Sequence, residues 1–213
     1  MSIQTDQYKS MLVELNAAQV TLIAVSKTKS VEDIRAIYNA GQRDFGENYV
    51  QELTDKQALL PADIRWHFIG HLQSNKVKFI APFVHLIQSV DSEKLLREID
   101  KQAAKQGRII ECLLQVYIAR EETKFGLDDD ELRIVFEKAK DLSHVRIRGL
   151  MGMASFTEDL RKVGDEFRKL KSIYDQYPGL SILSMGMSSD YQLAIKEGSN
   201  MVRIGSLIFG SRI

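Results

Sequence analysis

Thr21-Leu22-Ile23-Ala24-Val25-Ser26-Lys27 is an apolar run of strand length that ends in one amine, and Ser30-Val31-Glu32-Asp33-Ile34-Arg35-Ala36-Ile37-Tyr38-Asn39-Ala40 follows it with helical period. In the second segment Ser30 stands as an N-cap and Asp33 as its partner three residues on, a pairing that opens helices. A strand followed at once by a helix is a βα unit. Working outward, the same order recurs to the end of the chain, with strand-like runs at 21–27, 44–48, 66–70, 85–90, 109–118, 146–153, 180–186 and 201–206 and helical patterns between them. Residues 92–106 are the clearest of the later helices, stopped by Gly107, and an amphipathic segment at 8–18 precedes the first strand. About eight units predict an α/β fold, a single (β/α)8 TIM barrel with an extra N-terminal helix. A doubly wound open sheet has the same periodicity and is the alternative, because periodicity does not show closure. With three prolines and no Gly/Ser-rich linker in 213 residues, positions 1–213 read as one domain.

Lysine plus arginine and aspartate plus glutamate both number 29, so no global field is present to hold a polyanion or an anionic membrane. Nucleic acid and membrane partners are therefore not expected. The opening Met1-Ser2-Ile3-Gln4-Thr5-Asp6 is polar, and no apolar run approaches the ~18 residues of a membrane span. A soluble, unexported, cytoplasmic protein is expected. The single cysteine, Cys112, sits in an apolar strand and reads as a core filler in a reducing compartment. No exposed apolar stripe argues for an oligomer, so a monomer is expected.

In a barrel of this kind the loops at the carboxyl ends of the strands build the site. Lys27 stands at the first such tip. An amine that condenses with an aldehyde must be uncharged for part of its time, and partial desolvation with a neighbouring cation such as Lys29 favours that state. A solvated lysine just past a strand is the plainer reading. Asn48 ends the second strand, as a cap for the next helix or as a ligand contact. The third strand carries Trp66-His67-Phe68-Ile69-Gly70-His71-Leu72-Gln73-Ser74-Asn75-Lys76. His67 reads either as a satisfied interior histidine or as a ligand contact. Its four-residue spacing to His71 suits a metal only on a helix, so no zinc site is predicted here, and Ser74 and Asn75 begin the following helix.

The last two strands end in Ser184-Met185-Gly186-Met187-Ser188-Ser189-Asp190 and Met201-Val202-Arg203-Ile204-Gly205-Ser206. Each loop alone reads as helix capping. Adjacent in a closed barrel, Ser188, Ser189, Gly205 and Ser206 predict an anion site, since phosphates in barrels bind after strands seven and eight. Arg203 shares strand parity with Met201 and Gly205 and is directed inward. There it pairs with an acid such as Glu47, or it donates to a ring nitrogen and leaves a pyridine unprotonated. Lysine, paired phosphate loops, barrel and inward arginine together describe a site for pyridoxal phosphate.

Five ordered blocks carry a resemblance over nearly the whole chain: Ala24-Val25-Ser26-Lys27-Thr28-Lys29, Phe45-Gly46-Glu47-Asn48-Tyr49-Val50-Gln51-Glu52, the His67 block above, Arg148-Gly149-Leu150-Met151, and Met185-Gly186-Met187-Ser188 with Met201-Val202-Arg203-Ile204-Gly205. The chain resembles the pyridoxal-phosphate homeostasis proteins, also called the YggS or proline synthase co-transcribed family. The resemblance implies a fold similar to the amino-terminal barrel of alanine racemase and an internal aldimine of pyridoxal 5'-phosphate on Lys27. It also implies phosphate contacts near Ser188, Ser189, Gly205 and Ser206, and a ring-nitrogen contact from Arg203. Where the family usually has proline after Lys-Thr-Lys, this chain has Ser30, which affects only the placement of Lys29. Lys29 is expected to act by its charge. Residues 121–126, Glu-Glu-Thr-Lys-Phe-Gly, also look like a family feature, with Lys124 read as a solvated loop lysine.

A racemase resembling alanine racemase needs a second acid/base from a separate β domain. This chain ends at Ile213, just after its last strand, and Arg203 disfavours carbanion chemistry. The expectation is a protein without turnover that holds the cofactor and buffers or supplies it to PLP-dependent apo-enzymes. The rivals are an amino-acid racemase or weak transaldimination catalyst with His67 or Tyr49 as base, and a lysine-imine aldolase acting on a phosphosugar.

Overall fold

The computed structural model describes residues 5–119 and 126–210, so the 121–126 feature, Lys124 included, lies outside the described residues except for Gly126. Eight strands form one sheet: β1 Thr21–Val25, β2 Asp44–Glu47, β3 Arg65–Phe68, β4 Leu86–Val90, β5 Ile110–Gln115, β6 Val145–Met151, β7 Ile182–Ser184 and β8 Met201–Ile204. Neighbours in sequence pair in parallel, and β8 returns to β1 at four positions from Thr21↔Met201 to Ala24↔Ile204. The sheet is therefore a closed barrel, and the open-sheet alternative is excluded. Around it lie α1 Thr5–Ala17, α2 Val31–Asn39, α3 Val50–Leu59, α4 Val77–Ile80, α5 Glu93–Lys105, α6 Asp129–Ala139, α7 Leu160–Tyr174, α8 Tyr191–Lys196 and α9 Ser206–Phe209.

All eight predicted strands are present, but seven of the predictions run one to three residues past the carboxyl end. Apolar and small residues continue there after the ladder stops, which puts Lys27, Asn48 and Gly205 outside the strands and Ser206 at the first position of α9. Local chemistry starts and stops the helices as the sequence suggests. Ser30 accepts from the Asp33 N–H at 3.1 Å, Ser92 from the Leu95 N–H at 3.3 Å, and Gly107 follows α5 with φ of +60°.

The barrel interior is filled by Ile23, Leu86, Leu113, Met151 and Met201, while a larger apolar shell, Cys112 included, lies between strands and helices. Burial pushes the Cys112 thiol far up, out of reach of thiolate chemistry. Two residues beyond Leu86, Ile182 and Met201 on the same faces stand Gln88, Ser184 and Arg203, all buried. The interior thus changes from apolar to polar along the strands. At the other end α1 buries Tyr8, Met11 and Leu15, and Tyr8 donates to Gln42 at 3.2 Å. Among the described residues no helix is long and apolar enough to cross a membrane.

Candidate functional site

A cavity of about 440 Å³ opens where the carboxyl ends of β1, β2, β7 and β8 meet, within the range of small-molecule sites. Lys27, Asn48, Ser188, Ser189, Arg203, Gly205 and Ser206 all line it, joined by Lys29. Seven of the eight residues singled out from sequence are therefore brought to one place; His67 is not.

Lys27 is presented by a tight turn in which the Lys29 N–H donates to the Ser26 carbonyl at 3.0 Å. Thr28 sits in the left-handed region, φ of +64°, where a β-branched residue is strained. A buried ionic cluster holds both flanks of Lys27. Lys56 donates to the Ser26 carbonyl at 2.7 Å, to Glu47 Oε1 at 2.8 Å and to Glu52 Oε1 at 2.6 Å. Ser26 Oγ donates to Glu47 Oε1 at 2.6 Å, and the Thr28 N–H donates to Glu52 Oε1 at 2.5 Å. Burial pushes the Glu47 carboxyl up, and Lys56 and Ser26 offset that only in part. Sequence reading missed this cluster: Glu52 and Lys56 lie four apart on α3, a spacing that usually marks a solvated surface pair.

Asn48 does not cap α3. The N-cap is Tyr49, with no side-chain cap bond, while Asn48 Oδ1 is buried without a hydrogen-bond partner among the described residues. An unpaired buried carbonyl is costly, so this atom suits a donor brought by a ligand. Gly70 lets the next strand end pass beside it, since a Cβ there would fall 2.3 Å from the Asn48 carbonyl oxygen.

The β7 and β8 loops are tied together by the Gly205 N–H, which donates to Ser188 Oγ at 3.3 Å. Gly186 turns the first loop with φ of +97°, and the Met187 N–H donates to Asp190 Oδ1 at 2.6 Å. Ser188 is therefore bonded across the loops instead of capping α8. At the start of α9 the Ser206 and Leu207 N–H groups have no carbonyl four residues back within the helix, which suits them to an anion. Lys29 Nζ donates to the Phe209 and Gly210 carbonyls at 3.1 and 3.4 Å, so its charge is fixed at the rim.

Arg203 points inward as its parity predicts, but its partner is not Glu47. It donates to Ser184 Oγ at 2.6 Å and to the Gly152 carbonyl at 3.0 Å. Burial lowers its pKa to about 10, which Asp190 partly opposes, so it keeps its proton at neutral pH. His67, in contrast, is in mid-strand and below the mouth. Its Nε2 lies 3.0 Å from Asp44 Oδ1 and its Nδ1 lies 3.2 Å from Gln88 Nε2. The interior reading of His67 is the one its position supports, because inward parity says nothing of depth in the barrel. His71 turns away to Asp91 at 3.2 Å. Asp44, His67 and His85 bring ligand-type atoms within 4.8 Å of one another, yet Arg65 already pairs with both Asp44 oxygens and supplies the cation there.

Residues 5–213 match the alanine racemase N-terminal domain family. A pyridoxal phosphate homeostasis protein of Aquifex aeolicus is 43% identical over 197 residues, covering 90% of this chain and 86% of its own length. One of Schizosaccharomyces pombe is 41% identical over 204 residues, covering 92% and 86%. The chain belongs to the pyridoxal phosphate homeostasis protein family. PipY of Synechococcus elongatus, solved with PLP bound, matches this family member with a TM-score of 0.89 at 38% identity, over 97% of this chain and 99% of that one. Alanine racemase from Streptomyces coelicolor shares the fold at 16% identity, with a TM-score of 0.77 over 99% of this chain and 59% of its own.

Proposed function

We propose that this member of the pyridoxal phosphate homeostasis protein family binds pyridoxal 5'-phosphate covalently at Lys27 and holds it in reserve for PLP-dependent apo-enzymes, as a monomer in the cytoplasm. The observation that carries the reading is the convergence of Lys27, Asn48, the two tied loops and Arg203 on one cavity. The residues fit the group. Pyridoxal phosphate supplies an aldehyde that an uncharged amine takes up and gives back reversibly. Ser188, Ser189, Ser206 and the first-turn N–H groups of α9 hold the phosphate, Asn48 offers its unpaired amide oxygen, and Arg203 meets the ring nitrogen. An arginine keeps its proton, so it orients the ring while leaving the nitrogen a weak electron sink. That favours storage over carbanion chemistry. The bases of the racemase reading support it poorly: His67 is inside the barrel, and neither it nor the exposed Tyr49 lines the cavity.

Adding pyridoxal phosphate to the purified protein is expected to produce a visible absorbance band, and borohydride is expected to fix the label on Lys27. Lys27→Ala should lose that adduct; an undiminished adduct on another residue overturns the assignment. Exchange of amino-acid α-protons with deuterated solvent, abolished by Lys27→Ala, would replace storage with the racemase reading.

A further inference from the structure

Five buried side chains on five strands form one continuous hydrogen-bond chain across the barrel: Arg203 on β8, Ser184 on β7, Gln88 on β4, His67 on β3 and Asp44 on β2. Its links measure 2.6 Å from Arg203 Nη1 to Ser184 Oγ, 2.7 Å from Ser184 Oγ to Gln88 Oε1, 3.2 Å from Gln88 Nε2 to His67 Nδ1 and 3.0 Å from His67 Nε2 to Asp44 Oδ1. Donor chemistry fixes the two end links, at the guanidinium and at the carboxylate, and the side-chain orientation of Gln88 sets the two between them. A guanidinium only donates, so Ser184 accepts from Arg203 and spends its one proton on Gln88. Gln88 must then present its oxygen to Ser184 and its NH₂ to His67, an orientation that also places Nε2 3.3 Å from Met201 Sδ. His67 Nδ1 accepts, and the proton of the neutral ring lies on Nε2, facing Asp44.

The chain runs from a cation to an anion with each link donating toward the anion. In that orientation every dipole is aligned with the field between the two charges, and the links polarise one another in the same sense. Asp44 is a firm terminus. Burial alone would raise its carboxyl, but the hydrogen bonds from Arg65 and His67, with the charge of Arg65, more than reverse that and hold it well below the usual carboxylate range.

We propose that Ser184, Gln88, His67 and Asp44 act as one positioning relay that fixes the Arg203 guanidinium for a pyridine nitrogen and extends its charge compensation to the far end of the barrel. The inference rests on the reading of the cavity as a pyridoxal phosphate site, although the direction of the relay does not. This assigns to His67 a role in the site without contact with the cofactor.

Two measurements test it. In the cofactor-free protein, ¹⁵N NMR of the histidine rings should show His67 as the neutral Nε2–H tautomer; an Nδ1–H or doubly protonated ring at neutral pH overturns the relay. In the loaded protein, His67→Leu should weaken pyridoxal phosphate binding roughly tenfold and move the visible band, with borohydride still fixing label on Lys27. His67→Gln can accept from Gln88 and donate to Asp44, so it should recover most of both. A folded His67→Leu protein with wild-type affinity and band overturns the proposal, as does a His67→Gln protein impaired as fully as His67→Leu. If His67→Leu does not fold, Ser184→Ala makes the same cut beside Arg203 and is held to the same outcomes. Failure of the wild-type protein to take up pyridoxal phosphate sinks the cavity reading instead, and the tautomer still decides the direction of the chain.

Discussion

The β1 wall of the cavity and its β8 wall each present a basic side chain, and they hold it by opposite means. Around Lys27 the holding groups are charged, and they grip the backbone on either side: Lys56, Glu47 and Glu52 bind the Ser26 carbonyl, the Ser26 hydroxyl and the Thr28 N–H. Around Arg203 the hydrogen-bonding groups are neutral, and they grip the head group itself, through Ser184 and the Gly152 carbonyl. The difference follows from what each side chain must do. An amine that captures an aldehyde has to lose its proton at times, and ties on the flanking residues place it without drawing on that proton. A guanidinium that orients a ring never loses its proton and can be fixed by its own N–H groups.

Breaking the β1 wall should have the larger effect. Lys56→Met leaves Glu47 and Glu52 without their shared cation, and Lys56 and Glu47 are both buried. Removing one partner of a buried ion pair costs about 3–5 kcal/mol, which in a chain of this size lowers the melting temperature by roughly 10 °C. Uptake of pyridoxal phosphate at Lys27 should fall with it, because the turn loses its ties at Ser26. A Lys56→Met protein that melts with the wild type would show that the cluster does not hold this wall.

The relay end of the β8 wall should respond less, and with a distinct pH signature. Asp44 has its carboxyl lowered in the folded state, so its contribution is present above the unfolded carboxylate value of about 4 and is lost as pH falls through its folded value. Asp44→Asn should therefore cost about 1–3 kcal/mol at pH 7 and progressively less in acid below about pH 4, read from denaturant titrations across that range. The β1 wall has the opposite sign. The Glu47 carboxyl is raised, so its contribution is fully present below its unfolded value near 4 and falls as pH rises through the folded one. An Asp44→Asn cost that does not shrink in acid would show that the lost group is not the ionised carboxylate.

The existence and order of the eight strands were legible because strand and helix periods are local properties, and so was the inward parity of Arg203, while seven carboxyl ends were read one to three residues too long. Depth was not. His67 has the right parity but lies three residues before the Gly70 turn, so it fills the barrel where Asn48 and Lys27, beyond their strands, reach the mouth. Partners distant in sequence were equally hidden: Ser184 and Gln88 are 96 residues apart and meet only because the barrel closes. Lys56 reads as one end of a helical surface pair until β1 and β2 bury it against Glu47. Glu47 was visible as an acid near the site, and only the structure shows that its cation is Lys56 and not Arg203.

The smallest change probes whether the β1 wall works through the cluster or through stiffness of the turn itself. Thr28 is held at φ of +64°, a conformation costing a non-glycine residue about 1–2 kcal/mol. Glycine removes that strain but gives the unfolded chain more freedom, an offset of about 0.4–1 kcal/mol. Thr28→Gly should therefore leave stability within about 1 kcal/mol of wild type. It also keeps the N–H that Glu52 binds, so if the cluster fixes the turn, the rate and extent of labelling at Lys27 should be unchanged. Slower labelling with unchanged stability would mean that the β-branched side chain limits the motion of Lys27, and the ionic grip on the backbone would then be insufficient by itself.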